Sequence, residues 1–318
     1  MNGPKTMRDA LIGGIYERMA VDDRLFFLTA DFGAPMLDNL RADYPARFVN
    51  AGIAEQNLVG VAAGLAIEGF VSFAYAIAPF ITMRAYEQIR NNLSLLSHHR
   101  EVNVNLIGVG AGVSYDVSGP THHCLEDLIV MRTLPNIHVC SPSDWVMARK
   151  FLDYAVSVSA PKYIRLDSKP VPALYDEASE IDFRKGFHVL AEGERLCIVA
   201  TGFMTHTAKR VLERLSAQGR RVGLIDLFML RPMDSDAFFE ALKGYDRVIT
   251  IEEGFIDKGG LDSLVSSILF SKKARVLFDR IGFGDSFVFS LGDLRRLHAV
   301  CGMDEDGIME RALGMLSA

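Results

Sequence analysis

Phe48-Val49-Asn50-Ala51-Gly52-Ile53-Ala54-Glu55-Gln56-Asn57-Leu58 runs directly into Val59-Gly60-Val61-Ala62-Ala63-Gly64-Leu65-Ala66-Ile67. The second half predicts a helix built almost wholly from small and apolar residues. Gly60 and Gly64 lie four apart, on one face. Each glycine costs about 1 kcal/mol of helix propensity relative to alanine. Close approach of another backbone commonly offsets that cost. A helix apolar all round is expected to be buried, in the core or at a subunit interface. Glu55 is the anomaly. One reading is an acid at a helix start, favoured by the helix dipole and partly solvated. The other is a buried acid that shares a proton with a ligand nitrogen.

Outward from this stretch, strands and helices alternate. The pattern predicts a helix over 8–19, a strand over 25–30, a strand over 102–109 that ends in a glycine-rich loop, and a short strand over 137–140. Ser141-Pro142-Ser143-Asp144 then reads as a helix start with a capping side chain. A second block follows: strand 196–200, helix 205–218, strand 222–227, helix 235–243, strand 248–252 and helix 261–269. This rhythm implies parallel sheets with right-handed crossovers. Pro170, Pro172 and the acidic residues around them mark a linker. The expected fold class is α/β with two domains, each a mainly parallel sheet flanked by helices: residues 1–172, a linker over 173–190, and residues 191–318.

The chain has 318 residues, enough for two domains at roughly 100–200 residues each. Its formal net charge is -6 and it has no long basic run, which argues against nucleic acid or an anionic membrane surface as partner. Cys124, Cys140, Cys197 and Cys301 are scattered, with no CxxC spacing, as expected of a reducing cytoplasm. Met1-Asn2-Gly3-Pro4-Lys5 leads into no apolar leader, and the apolar stretches are too short to span a bilayer. His98-His99 and His122-His123 are adjacent pairs with no third ligand at metal spacing, so no metal site is expected on this chain.

Ile53-Ala54-Glu55-Gln56-Asn57 resembles the signature of the pyrimidine-binding domain in transketolases and 1-deoxyxylulose-5-phosphate synthases. In that family the glutamate bonds the ring nitrogen of the thiamine aminopyrimidine and promotes its reactive tautomer. Other landmarks follow in order. Ala30-Asp31-Phe32 resembles a segment whose aspartate lies near the cofactor, and Arg8 matches a substrate-contacting arginine. Pro79–Gln88 resembles the segment that packs on the aminopyrimidine. Phe80 and Tyr86 match aromatic positions there, and Met83 stands where transketolases have Phe; sulfur–aromatic contact would substitute. Alone, these three residues read equally as core packing. Ser118-Gly119-Pro120-Thr121-His122-His123 resembles the loop whose histidine, here His122, moves protons on the substrate. Histidine suits that role because it titrates near neutrality. Ala200-Thr201-Gly202, Asp226–Asp234 and Glu252-Glu253-Gly254 resemble the transketolase C-terminal domain.

The resemblance implies a two-carbon ketol transferase using thiamine diphosphate. The motif that holds Mg2+ and the diphosphate in full-length members has no counterpart here. Both are therefore expected on an N-terminal diphosphate-binding partner subunit, with two copies of each chain in the assembly. Catalytic roles fall to Glu55 and His122; cofactor contacts to Glu55, Asp31, Phe80, Met83 and Tyr86; substrate contacts to Arg8, His122, Ser118 and Lys169. Several positions depart from the family. Ser118 replaces an Asp, Gly110 or Ala111 a His or Arg, Pro35 a Ser, and Ser168 a phosphate-binding Arg with Lys169 beside it. Lysine is only a point-charge substitute for bidentate arginine. The expected substrates are a ketose donor and a non-standard aldehyde acceptor. A 1-deoxyxylulose-5-phosphate synthase-like condensation, a 2-oxo acid dehydrogenase beta subunit and a non-catalytic scaffold are the alternatives.

Overall fold

The structure is a computed structural model that describes residues 3–317; Met1 and Asn2, part of the stretch read above for a leader, and Ala318 lie outside it. The first sheet has seven strands. In chain order they are β1 (Leu25–Thr29), β2 (Phe48–Asn50), β3 (Val71–Ile77), β4 (Val104–Val109), β5 (His138–Cys140), β6 (Lys162–Leu166) and, from the second half of the chain, β10 (Met229–Arg231). The spatial order is β10-β5-β6-β4-β3-β1-β2. All pairs are parallel except β10 with β5. Strands β3, β4 and β6 are buried along almost their whole length, as central parallel strands are; in β6 this includes the charged Lys162 and Arg165. The second sheet has five strands: β7 (Phe187–Ala191), β8 (Leu196–Ala200), β9 (Gly223–Leu227), β11 (Arg247–Phe255) and β12 (Leu277–Phe283), in the order β12-β11-β8-β9-β7.

Helices α1 (Met7–Met19) and α6 (Trp145–Ser157) pack together over one face of the first sheet. Asp144 caps α6 by accepting from the Met147 amide at 2.7 Å, as the sequence signals. On the other face lies α3 (Glu55–Ile67), followed after β3 by an irregular helical run. This run contains π-type turns over Phe80–Arg84 and Ile89–Leu95, with α4 (Tyr86–Gln88) between them. Such widened turns are frequent at functional sites. Helix α5 (Asp127–Arg132) follows β4, and in the second unit α7 (Met204–Ala217), α8 (Ser235–Leu242), α9 (Leu261–Ser271), α10 (Leu294–Val300) and α11 (Glu305–Ser317) flank the smaller sheet.

A Cβ built at Gly60 or Gly64 meets nothing within 4 Å, so the glycine face of α3 is open in the single chain and, of the two expected places for it, is not in the core. Two findings correct the sequence reading. Strand β7 occupies Phe187–Ala191, overlapping the end of the range expected as linker. Strand β10 belongs to the first sheet although it follows β9 in sequence, so the two units are laced together.

Buried polar groups reinforce that lacing. Asp226, at the end of the second sheet, accepts hydrogen bonds from Ser143 at 2.6 Å, Tyr175 at 2.8 Å and Thr205 at 3.0 Å. Burial pushes its carboxyl up to about 7. Arg165 on β6 donates to Asp127 Oδ2 at 2.8 Å and to the Glu253 carbonyl at 2.6 Å, with both charged side chains out of water. Removing one partner of a buried pair leaves an uncompensated charge. Arg165→Leu is therefore expected to lower unfolding stability by about 3–5 kcal/mol, read from the urea midpoint. An unchanged midpoint contradicts the pairing.

Candidate cofactor and substrate site

The chain leaves β1 and returns in β2 on one side and β3 on the other. Ligands in open α/β sheets bind beyond the carboxyl ends of the strands at such a reversal. The sequence-predicted residues converge there. Asp31 follows β1, Glu55 follows β2, Phe80 follows β3, His122 is on the loop after β4, and Ser168-Lys169 follow β6. Arg8 enters from the first turn of α1.

The backbone around Glu55 is shaped by polar ties. Asn50 Oδ1 accepts from the Gly52 amide at 3.0 Å and the Asp31 amide at 3.2 Å, while its Nδ2 donates to Asp31 Oδ1 at 2.9 Å. Gly52 has φ 74°, a left-handed conformation that glycine adopts freely. This turn delivers Glu55 into the first turn of α3, where the positive helix end favours a carboxylate. Glu55 is only 2% exposed. Its Oε2 accepts from Arg84 Nη1 at 2.6 Å, and its Oε1 accepts no hydrogen bond from the described residues. The reading of a solvated helix-start acid is thus set aside in favour of a buried one.

From Arg84 a line of contacts runs across the site. The Arg84 guanidinium sits 5.0 Å from the centre of the Phe80 ring. Phe80 lies 5.4 Å from His122, edge to face at 66°. His122 Nδ1 is 3.0 Å from the Thr121 hydroxyl. Tyr115 lies 6.5 Å from His122 at 81°. Burial pushes the Tyr115 phenol up to about 12, with the Arg8 guanidinium acting in the opposite direction.

The other expected residues are placed as follows. Met83 is exposed, 41% of its surface open. The Tyr86 hydroxyl is turned toward α5, 2.6 Å from the Thr133 hydroxyl and 3.3 Å from the Val130 carbonyl. Ser118 is exposed at the end of a short 3-10 turn. Both candidate anion-binding cations already have carboxylate partners: Arg8 with Asp9 at 2.8 Å, and Lys169 with Asp116 at 2.9 Å. Burial works to raise the Asp116 carboxyl, but Lys169 and the Val117 and Leu294 amides together hold it below the usual carboxylate range. Arg84, Tyr115 and Asp116 are the residues that sequence reasoning left unassigned. Arg84 carried a signal, a cation in the aromatic segment four residues after Phe80. Tyr115 and Asp116 carried none: Tyr115 takes its place from the way the loop folds around Gly110 and His122, and Asp116 from Lys169 and Leu294, remote in sequence.

A buried carboxylate with one free oxygen beside a half-exposed aromatic suits a flat, nitrogen-containing ring that both accepts stacking and shares a proton. The residues thus fit the pyrimidine end of thiamine diphosphate. Among the described residues, no group of three or more His, Cys, Asp or Glu converges to hold a metal ion. Nor is any helix of the described residues long and apolar enough to cross a membrane.

Comparisons with known proteins point to one family. The family model described as "Transketolase, pyrimidine binding domain" matches residues 4–172, and "Transketolase, C-terminal domain" matches residues 186–305. A subunit of the apulose-4-phosphate transketolase of Actinobacillus succinogenes is 35% identical over 274 residues, covering 86% of each chain. The 6-deoxy-6-sulfo-D-fructose transketolase subunit SqwH of a Clostridium species is 29% identical over 282 residues, covering 88% of this chain and 85% of that one. The solved structure named "Split gene transketolase, inactive beta4 tetramer" superposes with a TM-score of 0.86 at 30% identity, covering 99% of both chains. A transketolase variant from Pichia stipitis shares the fold at 20% identity and a TM-score of 0.81, with this chain matching 46% of its length.

The Glu55–Arg84 pair is open to a direct test. A hydrogen bond to a charged group contributes about 1.5–3 kcal/mol. A double-mutant cycle of Glu55→Gln and Arg84→Met on the isolated chain, read by denaturant unfolding, is expected to give a coupling energy in that range. A coupling below about 0.5 kcal/mol, the level of a solvent-screened surface pair, contradicts the geometry.

Proposed function

Because the chain belongs to the transketolase family, of which it carries the pyrimidine-binding and C-terminal domains, we propose that it is the small subunit of a two-chain thiamine diphosphate-dependent transketolase. It moves a two-carbon ketol unit from a ketose to an aldehyde acceptor and works only with a partner that carries the diphosphate and Mg2+ site. The observation that carries this reading is Glu55: a carboxylate 2% exposed, at the carboxyl edge of a parallel sheet, aligned with Phe80 and His122.

Thiamine diphosphate, when bound, supplies the nucleophilic carbon that takes up and releases the two-carbon unit. The chain's residues do the rest of the work assigned to this half. Glu55 holds the proton at the pyrimidine ring nitrogen, a task suited to a carboxylate kept from water. Arg84 holds Oε2 and leaves Oε1 for that contact. Phe80 offers a ring face to the pyrimidine, with Met83 and Tyr86 beside it on the same irregular helical run. Asp31, exposed at the end of β1, lines the cofactor's approach. His122 gives and takes protons at the substrate hydroxyl and carbonyl oxygens. Ser118 and Lys169 border the acceptor, and Arg8 is the cation best placed for an acidic substituent once its pairing with Asp9 is relaxed.

The open Gly60–Gly64 face of α3 supports an assembly in which another chain packs there, with two copies of each subunit. The name of the structurally similar chain, an inactive tetramer of beta subunits alone, supports the need for the partner. The names of the relatives acting on apulose 4-phosphate and on a sulfonated fructose support a non-standard, anionic sugar as substrate. The GPTHH loop favours ketol transfer over the 2-oxo acid dehydrogenase reading, and joint retention of Glu55 and His122 speaks against a scaffold.

The purified chain alone is expected to be inactive, and mixing it with the diphosphate-binding subunit restores turnover. Glu55→Gln in that mixture is expected to lose about 10²-fold or more in kcat, the range for general acid–base groups, with the chain still folded by circular dichroism. Turnover by the single chain, or full activity of Glu55→Gln, overturns the proposal.

A further inference from the structure

Tyr115 lies in the site, yet neither the motif comparison nor the chemistry above gives it a task. Its ring occupies a particular space. A Cβ built on Gly110 collides with the Tyr115 ring carbons, so any side chain at 110 and the Tyr115 ring are mutually exclusive. Gly110, at φ 101°, leaves space at the end of β4 that the ring of Tyr115, five residues downstream, fills.

The ring is held firmly. Ser118 donates its amide to the Tyr115 carbonyl at 3.0 Å, closing the turn. The next residue, Asp116, is anchored by Lys169 from the segment after β6 and by the Leu294 amide at 3.1 Å from the second unit. The loop therefore cannot swing without breaking contacts to both halves of the chain. Half-buried and set edge-to-face on His122, Tyr115 leaves part of its surface open beside the group that handles the substrate's protons.

Resting on the transketolase reading above, we infer that Tyr115 is the specificity-determining end wall of the acceptor pocket, admitting short aldehydes and excluding longer ones. At this end of the pocket the chain presents an aromatic ring. An aromatic wall discriminates mainly by steric fit and apolar contact, so its effect belongs in acceptor KM.

The test uses the chain assembled with its diphosphate-binding partner, hydroxypyruvate as ketol donor, and glycolaldehyde or D-ribose as short and long acceptors. For Tyr115→Ala the ratio of kcat/KM for D-ribose to that for glycolaldehyde is expected to rise about tenfold, chiefly through a lower KM for ribose. Tyr115→Phe, which keeps the ring, is expected to keep the wild-type ratio. Tyr115→Leu, which shortens the side chain but preserves apolar packing, covers the case in which the alanine variant does not fold, and is expected to move the ratio in the same direction. An unchanged ratio in a folded Ala or Leu variant, with only its thermal midpoint lowered, makes Tyr115 a packing residue and overturns the inference. A wild-type complex that transfers no ketol unit to either aldehyde defeats the underlying reading instead.

Discussion

A carboxylate kept from water must have a partner, and this constraint organises the whole site. Glu55 is buried by the start of α3, by the Asn50–Asp31 ties at the ends of β1 and β2, and by the irregular helical run after β3. In the isolated chain the partner is Arg84. Desolvating a charge costs several kcal/mol, so a carboxylate here is tolerated only while something answers it. Arginine answers with a charge-assisted hydrogen bond at Oε2; a pyrimidine nitrogen would answer at the free Oε1 by sharing a proton. Filling that second oxygen is the event that would turn a stable isolated subunit into half of a working site.

The second unit takes part in holding that geometry. The loop that carries Tyr115 and His122 is fastened through Asp116 to α10, and Arg165 links β6 to the Glu253 carbonyl on β11. Strand β10 extends the first sheet from the second half of the chain. Asp226 gathers three hydroxyls from both units around one buried carboxyl. The C-terminal region therefore positions the substrate loop as well as packing against the first sheet. The open glycine face of α3 lies on the same side of the sheet as the irregular helical run. A chain docking there would reach the Glu55 end of the site directly.

Much of this was legible in the sequence. The alternation of strands and helices and the capping role of Asp144 depend on local chemistry, which neighbouring residues specify. Glu55 and His122 stood out because each belongs to a compact motif. What escaped depended on contacts distant in the chain. Which face of α3 stays open was not legible, because its apolar composition says nothing about which face another chain would cover. Strand β10 is three residues long and finds its partner almost ninety positions away, at Cys140. Arg84 gains its meaning only from the acid it meets across the fold, and the pairing of Asp116 with Lys169 and the Leu294 amide was equally invisible. Tyr115 differs, since Gly110 lies only five residues away and it is the fold of the loop that brings the ring over it.

The central claim is that this chain supplies one half of a cofactor site. Calorimetric titration of thiamine diphosphate with Mg2+ into the chain alone, the diphosphate-binding subunit alone, and their equimolar mixture tests it most directly. The account predicts saturable binding in the mixture that is at least about tenfold tighter than in either component, with most of the gain lost on Glu55→Ala, since a tenfold change corresponds to about 1.4 kcal/mol. Binding to the isolated chain as tight as to the mixture would contradict it.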